Sequence, residues 1–205
     1  MKKYLSLWLC LLFALPVLAQ SKTSLGLRGG INFSTTRPKS DGTTAKTGGN
    51  FGAFILHHPG ARWGISGEIN FSSRGEAHIL IGNSEKIIHR LYYVEMPVYG
   101  TFYFSPPERP FRPKVFAGAA LSTLLSSEFA GTDSQIYAEK ETRPLEVGAL
   151  AGIGFNYRLT PDGQALHFDL RYQRGLTPVF KEILQFSDPS RNKVFSINLG
   201  MSFPL

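Results

Sequence analysis

The sequence predicts an all-β chain, folded as an eight-stranded antiparallel up-and-down transmembrane β-barrel with a polar, side-chain-filled lumen. Three observations predict it: strand-length segments with one apolar and one polar face, connections that alternate in length, and a secretory leader ahead of them. Residues 62–72 show the first most clearly. Trp63, Ile65, Gly67, Ile69 and Phe71 fall on one side, and Arg62, Gly64, Ser66, Glu68, Asn70 and Ser72 on the other. Side chains of a strand alternate between faces, so this segment is greasy on one side and polar on the other.

The leader comes first in the chain. Lys2 and Lys3 precede an apolar stretch over residues 4–17, interrupted only by Ser6 and Pro16, and Val17-Leu18-Ala19 reads as a small-residue cleavage site before Gln20. Residues 1–19 are therefore expected to be a signal peptide, and 20–205 a single barrel domain. The one cysteine, Cys10, lies inside the leader, so the mature chain has no disulfide or thiol chemistry. The formal charge of +7 falls to +5 without Lys2 and Lys3. The remaining charges are scattered, with no basic run, which argues against nucleic acid as a partner.

Strands are expected near 24–33, 49–57, 62–73, 90–104, 114–125, 144–158, 165–174 and 193–203. Several reach the ~9–11 residues of a tilted membrane-spanning strand. The polar stretches 34–48, 74–89, 126–143 and 175–192 read as long loops, and 58–61, 105–113 and 159–164 as short turns. Long and short alternate, which places all long loops at one rim with both termini at the other, the pattern of outer-membrane barrels. Pro97 interrupts the fourth strand and is expected to mark a bulge or local break.

Alternation alone does not say which face meets lipid; the chemistry of the faces does. The apolar set includes Leu25, Leu27, Ile31 and Phe33; Tyr92, Val94, Met96 and Val98; Leu145, Val147 and Ile153; Leu166, Phe168 and Leu170; and Phe195, Ile197 and Leu199. None is charged, as lipid demands, because Arg or Lys near the midplane costs about 2–4 kcal/mol. The opposite set carries Arg28, Arg62, Glu68, Glu95, Glu146, Arg158, Asp169 and Arg171. Arginines balanced by carboxylates suit a narrow lumen, where a planar guanidinium bonds two oxygens at once. These eight residues are the candidate site: a lumen charge network that plugs the barrel, with no open pore. Aromatics near strand ends (Trp63, Tyr92, Tyr103, Tyr157, Tyr172, Phe203) are expected at the lipid–water boundaries.

Several short motifs carry a resemblance. They are Ser24-Leu25-Gly26-Leu27-Arg28-Gly29-Gly30-Ile31-Asn32, Glu68-Ile69-Asn70-Phe71-Ser72-Ser73-Arg74-Gly75, and above all Tyr93-Val94-Glu95-Met96-Pro97-Val98. With residues 148–155 and Leu170-Arg171-Tyr172, the mature chain resembles the PorT-type outer-membrane β-barrel family of Bacteroidota. The resemblance implies an integral outer-membrane barrel, one branch of which supports protein secretion. The C-terminal Phe203-Pro204-Leu205 departs from the family in placing its aromatic third from the end.

Other chemistry finds less support. Gly152-Ile153-Gly154 lacks the third glycine and following helix of a nucleotide loop, and suits a tightly curved wall instead. His57 and His58 are neighbours on opposite faces with no further ligand cluster. His167 and Asp169 share a face as a base and its orienting group would, but no positioned nucleophile accompanies them. No catalytic, metal or cofactor residue is assigned. The expected partners are outer-membrane lipid, the barrel-assembly machinery and a protein met through the long extracellular loops. Two alternatives stand beside this reading: a soluble periplasmic lipocalin-like barrel with an apolar ligand inside, and a membrane-embedded lipid-modifying enzyme using His167, Asp169 and serines such as Ser122.

Overall fold

The computed structural model describes residues 23–37, 43–79, 86–130, 143–178 and 191–205. The expected leader and most of the expected loop 175–192 lie outside them. Eight strands follow in chain order: β1 (Thr23–Arg37), β2 (Thr43–His57), β3 (Trp63–Ile79), β4 (Lys86–Tyr103), β5 (Phe111–Ala130), β6 (Leu145–Arg158), β7 (Ala165–Gly175) and β8 (Arg191–Pro204). Each pairs antiparallel with the next, and β8 pairs with β1 to close the barrel. Closure leaves no free edge within the membrane, where unpaired backbone groups would cost several kcal/mol each. The chain ends meet at the turn-side rim, where Leu205 N donates to Thr23 O at 3.0 Å. Gly163, at φ 98°, makes the tight β6–β7 turn in a conformation that other residues resist.

The strands run further than the apolar alternation suggests. β2 starts at Thr43, β3 reaches Ile79 and β4 begins at Lys86, so much of 34–48 and 74–89 is ladder rather than loop. The expected alternation of long and short connections is therefore lost at the first two long positions. Beyond the lipid no apolar face is needed, and Thr-rich backbone still satisfies its hydrogen bonds by pairing with neighbours. Pro97 produces no bulge. The β3–β4 register is the same at Gly67↔Val98 and at Asn70↔Glu95, so the missing N–H opens a local gap and nothing slips. Bulges lie elsewhere, at Tyr92/Tyr93 against β5 and between Ala45 and Asn50 against β3.

The two faces separate as lipid requires. Leu27, Phe51, Trp63, Ile65, Ile69, Val98, Ile153 and Leu199 are each more than half exposed on the outside. Arg28, Glu68, Arg74, Glu95, Lys114, Glu146, Asp169 and Arg171 are buried inside. A soluble barrel with an apolar cavity needs the reverse, and that alternative fails here. Two aromatic girdles bound the greasy band. On the turn side Trp63 meets Phe102 at 5.1 Å, and Phe155 bridges Phe111 (5.1 Å) and Phe168 (5.4 Å). On the other side Phe71 stacks on Tyr92 at 6.0 Å, and Phe33 meets Phe195 at 6.5 Å. From Trp63 to Phe71, at about 3.3 Å per residue and a tilt of about 40°, the band spans roughly 20 Å. Tyr103 is a correction: it is buried inside, and the neighbouring Phe104 faces out.

Candidate functional site

The lumen is filled by alternating large and minimal side chains. On β1 the inward positions read Gly26, Arg28, Gly30, Asn32 and Ser34. On β6, Gly152 leaves the space that the Phe116 ring occupies; a Cβ there would lie 2.3 Å from Phe116 Cζ. Eight strands leave room for one layer of long side chains only when their neighbours are this small.

A central cluster spans the barrel. Arg28 of β1 contacts both Glu68 of β3 and Asp169 of β7, the latter at 2.7 Å. Arg171 grips Glu68 through both guanidinium nitrogens, Nη1 to Oε2 at 3.0 Å and Nη2 to Oε1 at 2.9 Å. Tyr99 donates to Glu68 Oε1 at 2.5 Å, and Asn70 Nδ2 donates to Oε2 at 2.7 Å. Lys114 of β5 sits 2.7 Å from Asp169 Oδ1. Three cations thus surround two carboxylates. Aromatic faces back the guanidinium groups, with Arg28 4.9 Å from the Phe54 centroid and Arg171 5.2 Å from that of Tyr99.

A second cluster lies further from the turns. Arg74 of β3 pairs with Glu95 of β4 at 2.6 Å and with Glu146 of β6 at 2.9 Å. Asn192 of β8 donates to Glu146 Oε2 at 2.5 Å. Here two carboxylates share one cation, so this layer carries the opposite formal sign to the central one. Between the layers is a polar cavity of about 20 Å³ bordered by Asn70, Arg74, Glu95, Arg171 and Gln173. That volume suits a single water. Past the Phe33 girdle, Lys46 Nζ donates to Arg74 O at 2.9 Å. Burial, with Arg90 nearby, holds its ammonium below the ordinary lysine value.

Of the eight candidate residues, Arg28, Glu68, Asp169 and Arg171 meet in the central layer, and Glu95 and Glu146 in the second. Arg62 does not join them. It is exposed in the turn ahead of β3, with only its carbonyl still bonded to Tyr103 N at 2.8 Å. Arg158 stays at the turn-side mouth, half-buried, donating to Pro107 O (3.2 Å) and Glu108 O (2.8 Å). Arg74 and Lys114 were not anticipated. Arg74 follows the apolar part of β3 in what reads as loop, and Lys114 sits on a strand that is apolar or small on both faces. The signal that could have found Arg74 is parity, since it continues the inward series Glu68, Asn70, Ser72.

The His167–Asp169 arrangement is not that of a base and its orienting group. His167 Nε2 lies 2.7 Å from Ser202 Oγ and its ring is edge-on to Phe54, while the Asp169 carboxylate is taken by Arg28 and Lys114. Among the described residues no group of three metal-ligating side chains is present.

A family model, the outer membrane protein beta-barrel domain, matches residues 18–181. The chain belongs to this family. As a member it is an outer-membrane β-barrel protein, and it carries an outward apolar band. The barrel is similar to the outer membrane protein OprG from Pseudomonas aeruginosa, with a TM-score of 0.59, 13% identity, and 90% of this chain and 98% of that one covered. It is also similar to Neisserial surface protein A, with a TM-score of 0.53, 12% identity, and coverage of 89% and 97%. At such identities these two share the fold with the family member described here. No curated protein sequence matches the chain.

Proposed function

We propose that this protein is a non-enzymatic outer-membrane scaffold, serving envelope structure, surface interaction or the support of a secretion complex. One observation carries the reading: the lumen is closed by two layers of buried ion pairs with only a water-sized space between them. Such an interior offers no path to a solute. The groups best suited to chemistry, His167 and Asp169, are engaged with Ser202 and with cations. Function then falls to the outer wall and rims. Lipid is the partner of the apolar band, the assembly machinery reads the barrel during insertion, and a protein meets the rim opposite the turns. Residues 1–19 direct export and are removed. The Tyr93-Val94-Glu95-Met96-Pro97-Val98 run supports a PorT-type member from Bacteroidota and, with it, the secretion-support branch.

Planar-bilayer recording and cross-linking test this together. The expected result is no conductance step from the purified barrel, and recovery from native envelopes of a defined protein cross-linked to Ser126. Steady ion conductance through the wild-type barrel would overturn the closed-scaffold reading.

A further inference from the structure

The turn-side mouth of the barrel contains a recess that neither the charge layers nor the lipid band accounts for. Its cavity of about 80 Å³ opens into an outer vestibule of about 330 Å³. The smaller volume alone exceeds several-fold the ~10–15 Å³ that one water requires. Arg112 and Arg158 border both parts, and Arg109 borders the inner one.

Arg112 and Arg158 are fixed in place without being neutralised. Arg112 Nη2 donates to Ala61 O at 2.7 Å, and its guanidinium lies 4.0 Å from the Tyr103 ring centroid. Arg158 holds the carbonyls of Pro107 and Glu108. Among the described residues neither forms an ion pair with a carboxylate. Glu108 lies close enough to act on Arg112 electrostatically, and Arg158 acts against it. Carbonyl bonds use part of each guanidinium and leave its charge intact.

The floor supplies a second, independent observation. Asn156 is 5% exposed and borders the recess, and one end of its amide, Oδ1, has no hydrogen-bond partner. The other end meets the Tyr103 hydroxyl at 3.1 Å. A hydroxyl donates as readily as it accepts, so turning the amide over keeps the Tyr103 bond and aims the NH2 group into the recess. A buried polar atom left unpaired carries a desolvation cost that a ligand can recover. Leu205, at the chain end, borders only the outer vestibule.

We propose that this recess is an oxyanion site of the phosphate class, with Arg112 and Arg158 as its charged walls and the Asn156 amide as its floor. Planar guanidinium groups bond such oxygens in pairs, and a charged donor makes each bond stronger than a neutral one. The ligand is either a free phosphate or the phosphate of a lipid headgroup at the inner leaflet, since the recess opens where the turns meet that leaflet.

The test uses the full barrel, purified in a maltoside detergent free of phosphate. Inorganic phosphate is titrated calorimetrically in one arm. In the other, the barrel is placed in phosphatidylcholine vesicles with and without phosphatidic acid, and Asn156 is followed by amide NMR. Saturable phosphate binding at about 1 mM or tighter, weakened at least tenfold in both Arg158→Gln and Asn156→Asp, supports a free anion. A shift of the Asn156 signal only with phosphatidic acid, lost in Arg158→Gln, supports the headgroup. Asn156→Asp keeps the turn bonds of Arg158, so it separates loss of the site from loosening of the turn. Binding that is equal in wild type and Asn156→Asp, or no response in either arm, overturns the proposal.

Discussion

Arg171 and Glu68 face each other from β7 and β3 as a two-pronged pair, with both guanidinium nitrogens within 3.0 Å of the carboxylate. Glu68 is also the residue on which Arg28, Tyr99 and Asn70 converge. Replacing it with Gln leaves the buried Arg171 without a carboxylate partner, while Arg28 keeps Asp169. The expected cost is about 3–5 kcal/mol of barrel stability, since a buried charge deprived of its partner is not rehydrated. Urea unfolding in lipid vesicles measures it, and an unchanged midpoint would refute the account.

Arg74 provides a matched case with the opposite sign. Arg74→Leu leaves Glu95 and Glu146 without their shared cation and is expected to destabilise by a similar amount. The triple variant Arg74→Met, Glu95→Gln, Glu146→Gln recovers most of the loss, because no buried charge then lacks a partner. A triple variant as weak as the single one would show that packing, not charge, is at stake.

The lipid band predicts a depth profile. Val98 is 58% exposed and pairs with Gly67, midway between the two girdles. Val98→Arg is expected to cost about 2–4 kcal/mol, and Leu159→Arg in the β6–β7 turn about 0–1 kcal/mol. Folding titrations into vesicles read both. Equal costs would remove the midplane from its place at Val98.

Gly152 tests the packing of the lumen. An added Cβ would lie 2.3 Å from Phe116 Cζ and 2.4 Å from the Leu170 carbonyl oxygen. Gly152→Ala is expected to lose about 1–3 kcal/mol through overpacking. Phe116→Leu in the same chain restores only part of this, because the carbonyl belongs to the paired backbone of β7. The ratio of folded to unfolded gel bands reports both effects.

The parts of the fold that touch lipid were readable from the sequence, because lipid imposes one rule on every second residue. Val98 and Ile69 could hardly be polar, and their inward neighbours Glu68 and Glu95 follow by parity. Where lipid ends, the rule ends. Arg74 and the start of β2 then look like loop, although backbone pairing continues there undisturbed. Lys114 was hidden by Ala117, Gly118, Ala119 and Ala120, small residues that mark neither face. Arg62 shows the converse error: parity carried one residue past Trp63, into a turn where alternation no longer says anything about direction. The recess at the turn-side mouth was not visible at all, since it joins residues of three separate turns.

The ladder that continues past the upper girdle along β3 and β4 changes how a visitor meets this molecule. A visitor arriving at that rim and reaching β3 and β4 would touch hydrogen-bonded wall before any hydrocarbon. Its footprint would therefore draw on adjacent strands at once, so a linear peptide cut from either strand should compete poorly for the same binder.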